Sequence, residues 1–293
     1  MKDFDTKQFR YDGDNKVKLK KQPTKVDDFY KDKDEYSELL SDHAAEIDNL
    51  QEKMYAHNRY GLLVIFQAMD AAGKDSTIQH VFTGTNPVGV QGYSFKRPTD
   101  QELRHDWLWR GWRELPERGT IGIFNRSYYE EVIVTKVHPE ILTESQRLPE
   151  NVTDDLDQLF KDRYEAIRDM EKFLHRNGFP VVKFYLHVSK EEQADRLIDR
   201  IEEADKNWKF EEGDVKEREF WDDYQKAYED AINETATEHA PWYVIPADDK
   251  KNMRLLVGKI LVDVLKKLPI SKEKPDVDRF VALQKLTPII RAQ

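Results

Sequence analysis

Leu62-Leu-Val-Ile-Phe-Gln-Ala-Met-Asp-Ala-Ala-Gly-Lys-Asp-Ser-Thr77 is the stretch that decides the fold of this chain. An apolar run rich in β-branched and aromatic residues leads into small residues, then Gly73-Lys74, and then a polar sequence typical of a helix start. This order predicts a buried strand, a tight turn and a helix N-terminus, which is the layout of a phosphate-binding P-loop. In such a loop, backbone N–H groups surround the phosphate while the lysine adds a positive charge.

The loop departs from the standard P-loop pattern. Ala68 stands in the first glycine position, and Asp75 follows the lysine where a Ser or Thr hydroxyl usually contacts Mg²⁺. Ser76 comes one residue late. Asp70 adds a carboxylate that would repel a phosphate unless a metal lay between them, so it is predicted to be a metal ligand. Taken alone, the motif leaves a second interpretation open, namely a small-residue turn with a surface lysine.

Composition excludes several classes of protein. The 293 residues contain 35% charged and 39% hydrophobic residues, and the formal net charge of -10 argues against a general nucleic-acid binder. The absence of cysteine excludes disulfides, cysteine–zinc sites and thiol catalysis. The N-terminal residues lack the apolar segment of a signal peptide, and no apolar run is long enough for a membrane span. We therefore expect a cytoplasmic protein without nucleic-acid or membrane partners.

Helical and strand-like patterns alternate along the chain. This alternation predicts an α/β fold in which helices cover both faces of a mostly parallel, five-stranded sheet. Ligands in such folds bind beyond the carboxyl ends of the strands. The strands are predicted at residues 62–66, 88–96, 121–125, 180–188 and 242–245. A helix is predicted between the second and third strands, at about 100–117, and its three tryptophans are expected to pack in the core.

A second motif, Phe124-Asn-Arg-Ser-Tyr-Tyr-Glu-Glu131, ends the third strand. Many P-loop enzymes place an Asp here to support Mg²⁺, whereas this chain has Asn125. Glu130 could restore the missing negative charge, and Arg126 can bind a phosphate through two parallel hydrogen bonds. An ordinary strand end, with the arginine paired to a nearby carboxylate, is the alternative.

Basic residues elsewhere are candidates for binding phosphates. Arg196 and Arg200 are four residues apart on one predicted helix, and a polar, irregular segment follows them at 205–214. They are interpreted either as arginines of a mobile lid or as exposed ion pairs. Lys96-Arg97 ends the second predicted strand and is expected near the cleft.

Several motifs, taken together, resemble the polyphosphate kinase 2 family. The resemblance covers about Tyr36 to Leu268 and is carried by the two motifs above and by the following segments: Asn86-Pro-Val-Gly89, Ser94-Phe-Lys-Arg-Pro98, His105-Asp-Trp-Leu-Trp-Arg110, Lys183-Phe-Tyr-Leu-His-Val-Ser-Lys-Glu-Glu-Gln193 and Ala240-Pro-Trp-Tyr-Val-Ile-Pro-Ala247. Asn125 is similar to the class III subgroup, which is associated with phosphorylating nucleoside mono- and diphosphates.

The resemblance implies a thymidylate-kinase-like P-loop kinase fold of three layers with a helical lid. It implies reversible, Mg²⁺-dependent transfer of the terminal phosphoryl group of inorganic polyphosphate to AMP and ADP, with Mn²⁺ as an alternative metal. The expected organisation is an N-terminal arm at 1–34, a kinase domain at 35–268 with its lid at about 189–214, and a C-terminal extension at 269–293. An ATP-dependent nucleotide or nucleoside kinase of the same fold and a non-catalytic phosphate-binding module stay open as alternatives.

The resemblance also assigns roles to residues of this sequence. The expected catalytic residues are Asp70, Lys74, Asn125, Arg126 and Glu130, with Asp70 and Glu130 also binding the metal. Polyphosphate is expected to contact Ala71, Ala72, Gly73, Asp75, Ser76, Lys136, Arg196 and Arg200. Nucleotides are expected to contact Lys96, Arg97 and Arg126. The implied partners are polyphosphate, AMP, ADP, ATP, guanine nucleotides, and further copies of the chain in a homodimer or homotetramer.

Overall fold

A computed structural model describes residues 4–271 and 277–293, apart from the side chain of Lys209. Residues 1–3 of the predicted N-terminal arm and 272–276 of the predicted C-terminal extension therefore lie outside the described residues.

One sheet runs through the described part of the chain, with its strands in the order β1-β6-β5-β2-β4-β3. Strands β2 to β6 all run parallel to one another, and only the edge strand β1 of this sheet is antiparallel, to β6. The α/β, mostly parallel fold is thus confirmed, and the N-terminal arm adds a sixth strand at the edge. The strands are β1 (Arg10–Tyr11), β2 (Leu62–Ala68), β3 (Val90–Ser94), β4 (Ile121–Asn125), β5 (Val181–His187) and β6 (Trp242–Pro246).

The register of the sheet brings the ends of the two motifs together. Phe66 of β2 lies opposite Asn125 of β4, while Ala68 of β2 lies opposite Leu186 of β5. Every residue of β2 and β5 is buried, as expected for central strands that are covered on both faces. The carboxyl ends of β2, β4 and β5 therefore form one edge, at which the P-loop begins.

The helices form two layers. Helices α1, α2 and α11 pack together, and α4, α7 and α10 form a second group. The helices are α1 (Lys33–His57), α2 (Lys74–Val81), α3 (Trp109–Arg113), α4 (Glu130–Val137), α5 (Glu140–Glu144), α6 (Glu150–Thr153), α7 (Leu156–Arg176), α8 (Lys190–Glu202), α9 (Glu212–Glu217), α10 (Trp221–Thr235), α11 (Lys250–Lys267), α12 (Val277–Gln284) and α13 (Thr287–Ala292).

Side-chain caps begin four of the longer helices. Asp32, Asp155, Ser189 and Asp249 precede α1, α7, α8 and α11, and each accepts a hydrogen bond from a backbone N–H of the first turn. Such a cap satisfies one of the N–H groups that have no partner inside the helix. Asn58 ends α1 in the left-handed conformation, at φ 49°.

The prediction of one helix at about 100–117 is wrong, because the helix observed in this region is much shorter. This region contains only a 3-10 turn at Glu102–Arg104 and the short α3. Between them, the carboxylate of Asp106 accepts a hydrogen bond of 2.8 Å from the N–H of Leu108, a local turn that competes with helical pairing. The expected core packing holds for Trp107, which is partly buried against the core, but is wrong for Trp112, which is 41% exposed.

The N-terminal arm lies across the body before α1 begins. Its side chains Phe9, Val17 and Leu19 are buried. The C-terminal helices α12 and α13, by contrast, bury none of their residues. Within residues 4–271 and 277–293, no helix is both long enough and apolar enough to cross a membrane.

Candidate active site

The P-loop turns through two residues with left-handed backbones. Ala71 has φ 60° and Gly73 has φ 104°. Gly73 caps α2, and its carbonyl accepts a hydrogen bond of 2.9 Å from the hydroxyl of Thr77. The first turn of α2 contributes N–H groups that have no acceptor inside the helix, together with the positive end of its dipole. The loop therefore has the backbone shape that wraps an anion.

Lys74, the first residue of α2, points back over the loop. Its Nζ donates to the carbonyl oxygens of Ala68 at 2.9 Å and Met69 at 3.3 Å. Burial and, to a lesser extent, the nearby positive charge of Arg126 lower the pKa of Lys74 to about 8, against the opposite effect of Asp70. A phosphate bound in the loop would restore the preference of this side chain for its charged form.

Arg126 joins the two motifs. Its guanidinium donates to the carboxylate of Asp70 in the P-loop and, at 3.1 Å, to the carboxylate of Glu130 in α4. Glu130 and Asp70 raise the pKa of Arg126 above its ordinary value, so the group stays charged. Arg126 has φ 62°, and its N–H donates to the carbonyl of Phe66 at 2.9 Å. This unusual backbone turns the side chain towards the loop.

Asn125, the last residue of β4, contacts the other end of the P-loop. Its side-chain amide donates to the carboxylate of Asp75 in the first turn of α2. Its carbonyl accepts a hydrogen bond of 3.0 Å from the N–H of Phe95, just beyond β3. Asn125 therefore links three elements at the carboxyl edge of the sheet.

A buried polar network holds the second motif in place. Tyr128 and Tyr129 each donate to one carboxylate oxygen of Glu171 at 2.9 Å, and the other oxygen accepts from Nζ of Lys183 at 2.5 Å. Both charged side chains of this pair are fully buried. The hydroxyl of Thr235 lies 2.9 Å from that of Tyr129. The network fixes the start of α4, and with it Arg126 and Glu130, against β5 and α10.

Arg196 lies beneath the P-loop, where it is 5% exposed. Its Nη1 donates to the carbonyls of Ala71 and Ala72 at 3.3 and 2.8 Å, and its Nη2 donates to those of Ala247 and Asp248 at 2.6 and 3.1 Å. The Nε–H donates to Glu192 at 2.7 Å. All five N–H groups are therefore engaged, which makes Arg196 a positioning residue for the loop in this conformation; its predicted contact with phosphate stays a prediction.

A cleft opens beside Asp70 and Arg126. The segment after α8 closes one of its sides, because Arg218 donates to the side chain of Gln193 at 2.5 Å and Gln193 donates to the carbonyl of Asp70 at 2.9 Å. Burial and the charge of Asp70 raise the pKa of Asp214. The lining residues are Ala68, Met69, Asp70, Arg126, Glu130, Val134, Gln193, Asp214, Glu217, Arg218, Tyr224 and Tyr228.

The lid-side residues Glu217 and Arg218 were missed in the sequence. They lie beyond the predicted lid boundary at 214, within residues 215–238, whose sequence pattern predicts one continuous helix. That helix is interrupted by a 3-10 turn at Arg218–Phe220, which separates α9 from α10. Glu217 and Arg218 fit a continuous helical pattern, so the sequence did not indicate a break between two helices.

Three further predicted phosphate-binding side chains already have hydrogen-bond or ion-pair partners within the protein. Lys136 donates to Asp230 at 3.0 Å and to the hydroxyl of Tyr164 at 3.4 Å. Arg200 contacts Asp214 at 3.5 Å. The hydroxyl of Ser76 donates to the carbonyl of Gly73 at 3.2 Å. Their predicted contacts with polyphosphate stay predictions.

Lys96 and Arg97, predicted to bind nucleotide, are exposed just beyond the end of β3. The carbonyl of Lys96 accepts a hydrogen bond of 2.8 Å from Arg110, which is 6% exposed. A second cavity begins there, lined by Pro98, Glu102, Leu103, His105, Asp106, Trp107, Arg110, Glu131, Gln146 and Leu148. The cavity combines apolar and aromatic surface with a few charged groups, as sites for small ligands do.

The predicted metal ligands Asp70 and Glu130 lie close together at the carboxyl edge of the sheet. No group of three or more His, Asp or Glu side chains within residues 4–271 and 277–293 is arranged to hold a metal. The carboxylates of Asp70 and Glu130 nevertheless converge on the same guanidinium. One or two carboxylates together with substrate phosphates are the usual ligand set of Mg²⁺ in kinases, and these two side chains fit that set.

The chain is similar to known proteins over most of its length. The family model described as Polyphosphate kinase 2 (PPK2) matches residues 30–273. The chain is 52% identical over 266 residues to the ADP-polyphosphate phosphotransferase of Rhodopseudomonas palustris, covering 91% of each chain. It is 42% identical over 271 residues to the AMP/ADP-polyphosphate phosphotransferase of Meiothermus ruber, covering 92% of this chain and 96% of the relative.

A solved structure shares the fold. The crystal structure of Polyphosphate Kinase 2 from Arthrobacter aurescens TC1 matches with a TM-score of 0.84 and 36% sequence identity. The match covers 95% of each chain.

Proposed function

Since the chain belongs to the polyphosphate kinase 2 family, we propose that it transfers the terminal phosphoryl group of inorganic polyphosphate to AMP and ADP, reversibly. One observation carries the proposal: Arg126 joins the carboxylates of Asp70 and Glu130 beside a P-loop whose lysine lies over the loop carbonyls. This arrangement places opposite charges around the position of a phosphate, as phosphoryl transfer requires.

The acceptor needs no strong general base. The phosphate of a nucleotide is largely ionised at neutral pH, since its second pKa is about 6. Positioning and charge neutralisation therefore account for most of the catalysis. Lys74 and the loop N–H groups would hold the donor phosphates, while Asn125 and Arg126 would orient the acceptor phosphate for in-line attack. Lid closure over the cleft would exclude water and so prevent hydrolysis of the donor.

The metal is part of the proposal. Asp70 and Glu130 would hold Mg²⁺, with Mn²⁺ as an alternative. When bound, the ion neutralises negative charge on the phosphate oxygens. Arg126 contacts both carboxylates in the structure, so its guanidinium must share or leave them when the metal and the phosphates arrive.

The nucleotide is proposed to lie on the β3 side of the cleft. Lys96 and Arg97 would contact its phosphates, and the cavity beside Trp107 and Arg110 has the aromatic and charged lining that a nucleoside needs. Adenine and guanine nucleotides would both be accepted there.

We further propose the organisation expected from the sequence. An arm at 1–34 and an extension at 269–293 would flank the kinase domain at 35–268. The chain would act in the cytoplasm as a homodimer or homotetramer.

The decisive experiment supplies polyphosphate as the only donor. The purified protein is incubated with Mg²⁺, polyphosphate and either AMP or ADP, without ATP, and the product nucleotides are quantified. We expect ADP and ATP to form from AMP, and ATP to form from ADP. If neither acceptor is phosphorylated while ATP supports phosphorylation of AMP, the chain is an ATP-dependent kinase of the same fold. If no donor works, it is a phosphate-binding module.

Two variants link the activity to the site. Asp70→Ala and Lys74→Ala should each abolish turnover while the far-ultraviolet circular dichroism stays unchanged. Lys161→Ala, at an exposed lysine of α7, is the matched control and should retain the full rate. Normal turnover in either loop variant would refute the assigned site.

A further inference from the structure

A lysine-rich surface lies on the N-terminal arm, outside the cleft. Residues 16–25 contain five lysines and no acidic residue, in a chain whose formal net charge is -10. The five lysines are all exposed, whereas Val17 and Leu19 between them are buried. The arm therefore turns its apolar residues inward and its ammonium groups outward. We call this surface the lysine stripe, consisting of Lys16, Lys18, Lys20, Lys21 and Lys25.

The backbone of the stripe is held in place. The N–H of Val17 donates to the side chain of Asn233 at 2.7 Å, and that side chain donates back to the carbonyl of Val17 at 3.0 Å. The N–H of Leu19 donates to the carboxylate of Glu229 at 2.8 Å. The lysines thus project from a fixed backbone. Binding a ligand would therefore cost little conformational entropy of the backbone.

The stripe leads to the edge of the sheet that carries the P-loop. The carbonyl of Thr24 accepts a hydrogen bond of 2.9 Å from the N–H of Asp248, which follows β6. The carbonyl of Asp248 accepts from Arg196 at 3.1 Å, and Arg196 donates to the carbonyl of Ala72 at 2.8 Å. Only Asp248 and Arg196 therefore separate the arm from the loop along this path of contacts.

Two more cations lie between the stripe and the cleft. Lys20 contacts Asp222 at the start of α10 at 3.8 Å, with both side chains more than 80% exposed. Next to Asp222, the ring of Trp221 lies 6.0 Å from Nζ of Lys190. The carbonyl of Lys190 accepts a hydrogen bond of 3.2 Å from Arg218, which lines the cleft. This path of contacts thus carries the cations Lys190 and Arg218, together with the carboxylate of Asp222, from the arm to the mouth of the cleft.

The remaining lysines of the stripe are available to a ligand. Among residues 4–271 and 277–293, no carboxylate lies within ion-pair distance of Lys16, Lys18, Lys21 or Lys25. A row of unpaired ammonium groups in an acidic protein repels the other cations and attracts a flexible polyanion. Ten residues span about 30 Å when fully extended, and the 3-10 turn at Leu19–Lys21 makes this stretch shorter than that.

We propose that the lysine stripe is a second binding surface for inorganic polyphosphate, which holds the part of a long chain that extends beyond the cleft. This inference rests on the proposed function, because it assumes polyphosphate as the donor. It assigns two roles to two surfaces: the P-loop side of the cleft positions the reacting end, and the stripe raises the affinity for long chains. A short donor that fills only the cleft gains nothing from the stripe.

The test compares long and short donors. In one variant, Lys18, Lys20, Lys21 and Lys25 are replaced by Gln; in the control, the exposed lysines Lys33, Lys161, Lys172 and Lys267 are replaced by Gln, which removes the same charge elsewhere. We expect the stripe variant to raise KM for long-chain polyphosphate by about tenfold, while KM for a short oligophosphate, KM for AMP and kcat stay unchanged.

Salt gives a second readout. For the long donor, log(kcat/KM) should fall with log[salt]. Each lost phosphate contact should make that negative slope less steep by about one. An unchanged KM for the long chain, or an equal change in the control variant, would overturn the inference. Failure of the parent protein to use any polyphosphate would instead refute the proposed function, so the two outcomes are separable.

Competition identifies the class of polyanion. Binding of labelled long-chain polyphosphate to the parent protein is challenged with unlabelled polyphosphate or with single-stranded DNA at equal phosphate concentration. Stronger competition by DNA, lost in the stripe variant, would make the stripe a nucleic-acid site and contradict the proposal.

Discussion

The side-chain amide of Gln67 donates a hydrogen bond of 2.8 Å to the carboxylate of Glu130. Gln67 is fully buried near the end of β2, and Glu130 is the first residue of α4. The same carboxylate accepts from Arg126 at 3.1 Å through its other oxygen. Gln67 therefore fixes the orientation of a proposed metal ligand from the strand that leads into the P-loop.

Replacing Gln67 should affect catalysis more than folding. Gln67→Leu keeps a similar volume but removes the donor to a charged group, an interaction worth about 1.5–3 kcal/mol. We expect kcat to fall by about tenfold or more, since each 1.4 kcal/mol is a factor of ten. Steady-state kinetics with ADP and polyphosphate measure this. Gln51→Leu is the matched control, since Gln51 is also buried but contacts Gly119, and its kcat should stay unchanged.

Asn125→Asp should change the choice of acceptor. In the protein the amide of Asn125 donates to the carboxylate of Asp75. In the variant two carboxylates face each other, which raises the pKa of one of them and pushes the acceptor phosphate away. We expect the ratio of kcat/KM for AMP to that for ADP to shift several-fold. The exposed Asn177→Asp is the control, and an unchanged ratio in the Asn125 variant would show that this position does not set the preference.

Much of the fold could be predicted because periodic patterns report burial. The all-apolar β2 and β5, the small residues before Lys74 and the caps of α8 and α11 all have local signals. Strand β1 has none, because two residues in a polar arm pair with β6 only through the tertiary fold. The region of α3 was misjudged for a similar reason: its helical pattern competes with a local turn at Asp106.

The meeting of the two motifs could be predicted from the sequence, but the contacts between them could not. Parallel strands end at one edge, so the residues after β2 and β4 had to lie together. The partners of Gln67 and Arg196 lie far away in the sequence, at Glu130 and at backbone carbonyls of the P-loop. A carbonyl is present at every residue and carries no sequence signal, so no pattern could show that Arg196 supports the loop.

Lys74 should give the reaction a pH dependence on the alkaline side. Burial lowers the pKa of Lys74 from 10.5 to about 8 in the free protein. Because the neutral amine holds phosphate less well, kcat/KM for polyphosphate should fall as the pH rises through about 8. Lys74→Arg, whose guanidinium stays charged, should be slower but should lack this decline. A decline of the same midpoint in the variant would exclude Lys74 as its cause.

Lys74 should also make the free energy of unfolding depend on pH. The pKa is lower in the folded protein than the ordinary value of 10.5, so the unfolded chain binds more protons between about pH 8 and 10.5. Lys74 should therefore make the free energy of unfolding rise with pH across that window, and burial of its charged form should cost stability below it. Urea unfolding of the parent and of Lys74→Met across this range should differ in slope in that direction.

Arg196→Gln should distinguish a loop support from a phosphate ligand. The guanidinium donates to carbonyls of two loops and is nearly fully buried, so its removal leaves Ala71, Ala72, Ala247 and Asp248 without these partners. We expect the free energy of unfolding to fall by about 2–4 kcal/mol, together with a loss of kcat, because the P-loop loses its support. Arg200→Gln, one turn further along α8, removes a partly exposed ion pair and should cost less than about 1 kcal/mol. Urea unfolding measures both. If Arg196→Gln kept full stability and only raised KM for polyphosphate, Arg196 would bind phosphate directly after leaving the loop carbonyls.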